Sequence, residues 1–140
     1  MSGSATSVST HILDTAAGRP AAGVAVALSV RSGAAGDGAG GKPGGDFGGW
    51  TAHGASATDA DGRVRDLPAL PAGTTHVRLV FDTGPYLRDP GAEERQDAPV
   101  RSNGDAFFPE VAVVFAVRPG EHHHVPLLLS PFGYSVYRGS

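Results

Sequence analysis

The sequence predicts an all-β sandwich with Greek-key connections. Short stretches alternate apolar and polar residues, Gly, Pro and Asp turn signals separate them, and helical periodicity is nearly absent. The 140 residues suit a single domain over 1–140, with 40% hydrophobic and 18% charged side chains in ordinary globular balance.

Residues 1–7 are small and polar, so a flexible N-terminus is expected. Val8–Asp14 reads as the first strand. Gly18 and Pro20 turn the chain within Thr15–Ala22, and the Val/Ala/Leu alternation of Val24–Val30 reads as the second strand. Half of residues 32–49 are glycine, which marks a flexible loop inserted between two strands. Trp50–Ala57 follows as a strand, Asp59-Ala60-Asp61-Gly62 as a turn, and Arg63–Asp66 and Thr74–Phe81 as two more strands. One helical turn fits Gly84–Arg88, and Asp89–Asp105 is polar and loop-like. Val111–Val117 places Val111, Val113, Phe115 and Val117 on one face. Pro119-Gly120 turns the chain into His122–Ser130, Pro131-Phe132-Gly133 ends that strand, and a last one runs over Tyr134–Arg138. The expectation is seven to eight strands and one short helix.

Composition excludes several classes. The net charge is −3 and the 11 basic residues are scattered, so no basic face awaits a nucleic acid. There is no cysteine, hence no disulfide framework and no thiolate metal site, which fits a cytoplasmic protein. The N-terminus lacks the basic start and apolar stretch of a secretory signal, and no run approaches the roughly 20 apolar residues needed to cross a bilayer.

Some motifs mislead. Gly36-Asp37-Gly38-Ala39-Gly40-Gly41 matches the dinucleotide fingerprint, but Lys42-Pro43-Gly44-Gly45 cannot open the helix that the pyrophosphate requires. Gly41-Lys42 resembles the end of a P-loop, yet Pro43 stands where Ser or Thr should bind magnesium. Asp59 and Asp61 lack the rest of a calcium ladder and read as a plain turn.

The informative residues are histidines. Strand alternation puts His123 on the core face with Val125, Leu127 and Leu129, and His122 and His124 on the other face. Ile12 points inward, so His11 points outward, and Val136 inward sends Tyr137 outward. If these strands are neighbours, His11, His124 and Tyr137 share the outer face of one sheet. A solvated surface bearing ordinary histidines is the bland alternative, and a zinc site of His11, His122 and His124 is another. His53, His76 and His122 read as surface or structurally satisfied residues.

Several separated motifs resemble the transthyretin-like family. Ser9-Thr10-His11-Ile12-Leu13-Asp14-Thr15, followed by Gly18, Pro20-Ala21 and Val24, looks like its opening signature. Phe108-Pro109-Glu110-Val111 is similar to a central segment. His124-Val125-Pro126-Leu127-Leu128-Leu129-Ser130-Pro131, with Tyr134-Ser135, looks like the closing one. The ending Tyr137-Arg138-Gly139-Ser140 resembles the terminal tetrapeptide of the family's hydrolase branch, which the hormone-carrying branch lacks. The resemblance covers most of the chain outside 32–49 and 89–105. His123, where the family often has Tyr, and Val136, where it has Thr, depart from the pattern.

The resemblance implies hydrolysis of 5-hydroxyisourate to 2-oxo-4-hydroxy-4-carboxy-5-ureidoimidazoline without metal or cofactor. It also implies a homotetramer with sites in a channel where dimers meet. It maps the catalytic residues onto His11, Arg63, His124 and Ser140, and substrate binding onto His11, Arg63, Tyr137 and Arg138. An imidazole with an ordinary pKa of about 6.5 suits a general base near neutrality, and His124 and His11 are both candidates. Arg63 offers a fork of donors for carbonyl or oxyanion groups. A non-enzymatic small-ligand carrier on the same fold is the rival reading.

Overall fold

The computed structural model describes residues 5–32, 49–88 and 106–139. The Gly36–Gly41 motif, nearly all of the Gly-rich loop, the 89–105 segment and Ser140 lie outside these residues. Nine strands and one helical turn are assigned among the described residues. They are β1 (Ser7–Asp14), β2 (Arg19–Pro20), β3 (Ala25–Arg31), β4 (Thr51–Ala57) and β5 (Arg63–Val64), then β6 (His76–Asp82), α1 (Gly84–Leu87), β7 (Val111–Ala116), β8 (His122–Ser130) and β9 (Gly133–Val136).

Two sheets form. One runs β2-β1-β8-β9, with β5 also pairing β1, and the other runs β4-β3-β6-β7. β1 and β8 are parallel; the remaining pairs are antiparallel. Inward side chains from both sheets make one core: Val8 and Ile12 of β1, Val26 and Leu28 of β3, Val77, Leu79 and Phe81 of β6, and Leu127 and Leu129 of β8. This is the expected all-β sandwich, and the period of two seen in the sequence is its cause, since β1, β3 and β6 bury every second residue. Val111, Val113, Phe115 and Val117 all pack on the core as their spacing predicts.

Burial also explains the polar exceptions. Thr10 is fully buried, and its hydroxyl donates to the Val125 carbonyl at 2.6 Å, so its burial leaves no group unsatisfied. His123 is 7% exposed on the core face, as alternation predicts. Its Nε2 accepts the Arg118 N–H at 3.2 Å and its Nδ1 faces the Ser7 carbonyl at 3.4 Å, which fits the Nδ1–H tautomer. The Tyr86 hydroxyl donates to Asp14 Oδ2 at 2.6 Å and ties α1 to the end of β1. Burial and the Asp14 carboxylate push the phenol up to about 12.

Several element ends differ from the sequence expectation, β6 for one beginning at His76 rather than Thr74, and three of the differences have a clear cause or consequence. The Thr15–Ala22 turn contains a two-residue strand, because Leu13 and Asp14 pair with Pro20 and Arg19. The strand expected over Arg63–Asp66 stops at Val64. The last strand stops at Val136 rather than Arg138. Pro126 explains that interruption: its carbonyl accepts the Tyr137 N–H at 3.3 Å, but proline has no N–H to return the bond. The register resumes at an isolated bridge, where the Gly139 N–H donates to the His124 carbonyl at 2.8 Å.

The turn before β5 is tightly determined. The Asp59 carboxylate accepts the N–H groups of Asp61 (2.8 Å) and Arg63 (3.0 Å). The Arg63 N–H is the largest influence holding this carboxyl below its ordinary 3.8; desolvation opposes, and the Asp61 N–H and the charges of Arg65 and Arg63 add to the lowering. Gly62 has φ +75°, and a Cβ there would stand 2.6 Å from the Ile12 carbonyl oxygen. Gly62→Ala should therefore destabilise the fold by more than about 1 kcal/mol, read as a lower urea midpoint at constant slope. An unchanged midpoint would contradict this account of the turn.

Candidate active site

Pairing on either side of β1 builds the outer face. His11 is the Cα partner of Arg63 on β5 and of Pro126 on β8. One step along, Ser9 is opposite His124, and beyond it Ser7 is opposite His122. All these side chains have the outward parity, so they line up as neighbours across three strands. On the far side of β8, the bridge to the tail puts Gly139 beside His124. The adjacency that alternation alone could not supply comes from the parallel β1–β8 ladder.

An open cleft of about 390 Å³ lies on this face, lined by Ser9, Thr10, Arg63, Arg65, His122 and His124. A smaller apolar groove of about 170 Å³ borders the other side of His124, where Tyr137 and Arg138 contribute to the wall. His124 is thus shared by both. Its ring lies so close to the tail backbone that a Cβ on Gly139 would stand 2.8 Å from His124 Cδ2. Only glycine at 139 leaves the imidazole its place. Tyr137 is 54% exposed, and the Arg138 guanidinium stands 3.8 Å from Glu121.

The electrostatics of His124 follow from this position. Desolvation pushes its pKa below the ordinary 6.5, and the neighbouring His11, Arg63 and His122 push the same way. A cation beside a cation is disfavoured, so the ring stays neutral down to lower pH than a free imidazole. Ser9 Oγ stands 2.8 Å from His124 Nδ1, leaving the Nε2 edge for a substrate.

Of the candidate residues, His11, Arg63 and His124 come together on one face, and Tyr137 and Arg138 border the groove beside His124. Ser140 is outside the described residues. His122, read from the sequence as surface or structural, lines the cleft, and its parity with His124 was the available signal. Arg65 was not singled out by the sequence; it shares parity with Arg63. His53 and His76 are held elsewhere, by the Ala69 carbonyl (2.7 Å) and the Thr75 hydroxyl (2.8 Å). Among the described residues, no group of three or more His, Cys, Asp or Glu side chains is arranged to hold a metal ion.

An all-β sandwich carrying a His–Arg cleft on the outer face of its β1–β8 sheet defines a class of small-molecule site. The family model described as HIUase/Transthyretin matches residues 8–139, and the chain belongs to that family. The "Uric acid degradation bifunctional protein TTL" of Arabidopsis thaliana is 44% identical over 95% of this chain, which spans only 37% of that protein. The "5-hydroxyisourate hydrolase" of Salmonella dublin is 38% identical over 95% of this chain and 80% of its own length. Among solved structures, 5-hydroxyisourate hydrolase of Klebsiella pneumoniae superposes with a TM-score of 0.61 at 29% identity, covering 95% of this chain and 98% of that one. Sea bream transthyretin in complex with thyroxine gives 0.65 at 29% identity, covering 94% and 93%.

The histidine titration is directly measurable. By NMR, His124 should titrate below 6.5, and Arg63→Gln should raise it, because removing a cation favours the protonated ring. A midpoint at or above 6.5 in the wild type would contradict the electrostatic picture.

Proposed function

We propose that this chain hydrolyses 5-hydroxyisourate as a metal- and cofactor-free cyclic amide hydrolase. In this reading it is a single-domain subunit of a cytoplasmic homotetramer. The observation that carries the reading is the shared outer face of His11, Arg63 and His124, with the Tyr137-Arg138-Gly139 tail laid against His124. The relatives named as hydrolases, at 38–39% identity over nearly the whole chain, support it.

The substrate is a fused heterocycle whose six-membered ring contains amide bonds. His124 is the general base: water adds to a ring carbonyl, forming the C–O bond while its proton passes to the imidazole. Depressed basicity keeps this ring unprotonated near neutrality, and such help is worth roughly a hundred- to ten-thousand-fold. Arg63 receives the charge that develops on the carbonyl oxygen. Collapse breaks the C–N bond, and the imidazolium returns its proton to the leaving nitrogen. His11 orients water or substrate, Tyr137 and Arg138 contact the bound ring, and Ser140 joins the catalytic set as a hydrogen-bonding hydroxyl. The cleft is open in one chain, and a channel between dimers would enclose it.

The rival reading, a small-ligand carrier, draws on the similarity to the thyroxine-bound sea bream protein. Ultraviolet decay of 5-hydroxyisourate, generated in place by urate oxidase, separates the two. Wild-type protein should accelerate the decay, and His124→Ala should lose about 10²- to 10⁴-fold of the rate. Decay at the spontaneous rate with folded wild type would remove the hydrolase reading and leave the carrier.

The pH profile supplies a second test. The base works only unprotonated, so kcat/KM should hold above the lowered His124 pKa and fall below it. The acid limb should have its midpoint under 6.5. Light scattering should return the mass of four chains at micromolar concentration; a monomer would contradict the channel.

A further inference from the structure

A hydrogen-bonded chain runs along the outer face behind His124. Ser7 Oγ is 2.6 Å from His122 Nδ1, His122 Nε2 is 2.8 Å from Ser9 Oγ, and Ser9 Oγ is 2.8 Å from His124 Nδ1. The register explains why the four groups alternate: Ser7 faces His122 and Ser9 faces His124 across the parallel ladder, so each hydroxyl falls beside imidazole nitrogens. Ser9 is the only one of the four that touches both rings.

A hydroxyl carries one proton and two lone pairs, and a neutral imidazole has one N–H and one bare nitrogen. Ser9 therefore cannot donate to both rings at once. If it donates to His122 Nε2, it is placed to accept from His124 Nδ1–H, and Nε2 of His124 is bare. If it donates to His124 Nδ1, the proton of His124 sits on Nε2 and the ring has no base to offer the cleft. One hydroxyl thus couples the tautomers of two histidines.

Resting on the hydrolase reading, we propose that Ser9 is the positioning residue for the base, with His122 and Ser7 behind it. In the productive arrangement His124 Nδ1–H donates to Ser9, Ser9 O–H donates to His122 Nε2, and His122 Nδ1–H donates to Ser7 Oγ. His124 then presents a bare Nε2, held in one orientation and one tautomer. His122 acts as the acceptor that fixes the direction of the Ser9 hydroxyl. This is a job that a surface histidine does not have, and neither Ser9 nor His122 touches the reacting atoms in it.

Partners that orient a working imidazole are worth on the order of 10- to 100-fold in activity. The test uses the full chain with kinetics and ring ¹⁵N NMR on wild type, Ser9→Ala and Ser9→Thr. Wild-type spectra should show His124 protonated at Nδ1 and bare at Nε2, with His122 in the same tautomer. Ser9→Ala should lose roughly 10- to 100-fold in kcat with KM within about twofold, and the Nδ1–H signature of His124 should disappear. Ser9→Thr keeps the hydroxyl and should retain both kcat and the signature.

Wild-type His124 protonated at Nε2, or a folded Ser9→Ala with kcat unchanged, would overturn the proposal. Should wild type not hydrolyse 5-hydroxyisourate, the hydrolase reading falls by itself. The wild-type ring spectra still decide the coupling, and they do so even if Ser9→Ala does not fold.

Discussion

The parallel pairing of β1 with β8 joins the two ends of the chain through an unbroken ladder from Ser7–His122 to Asp14–Leu129. On its inner side it stacks Val8, Ile12, Val125, Leu127 and Leu129 into the core, with Thr10 satisfied by the Val125 carbonyl. On its outer side the same ladder sets Ser7, Ser9 and His11 against His122, His124 and Pro126. Because the side-chain period is two, a slip of one residue would exchange the faces, burying histidines and exposing leucines. The cost of that exchange keeps the polar constellation in register. The burial that holds the sandwich together is therefore also what fixes the geometry of the site.

Two smaller constraints complete it. The Asp59 turn and Gly62 deliver Arg63 to the edge of β1 away from β8, opposite His11, where its charge reaches His124. Pro126 breaks the regular β8–β9 ladder yet leaves the tail in register, so Gly139 can bond to the His124 carbonyl beneath the ring. The backbone at these two places is specialised because atoms of another strand need the space. At Gly62 the neighbour is the β1 backbone, and at Gly139 it is the imidazole itself.

Much of this was legible in the sequence. Strand positions and faces followed from alternation, and His123 inward with His11 and His124 outward is what the fold contains. What alternation cannot carry is pairing, since nothing local in Ser7–Asp14 says that its partner lies more than a hundred residues away. Strand ends depart from the side-chain pattern where hydrogen bonding decides: Pro126 shortens β9, and partners on β1 make Arg19–Pro20 a strand. An exposed histidine such as His122 is ordinary in a sequence; its hydroxyl partners, Ser7 and Ser9, appear only once β1 and β8 lie side by side.

The most direct test of the account is where a planar analogue binds. Urate has the fused-ring shape of the proposed substrate and lacks its hydroxyl, so a crystal soaked with it reports the binding face without turnover. Its density should lie on the outer face, with oxygens within hydrogen-bond distance of the Arg63 guanidinium and a ring edge at His124 Nε2. Density confined to the apolar groove between β7 and the tail, away from Arg63, would contradict it.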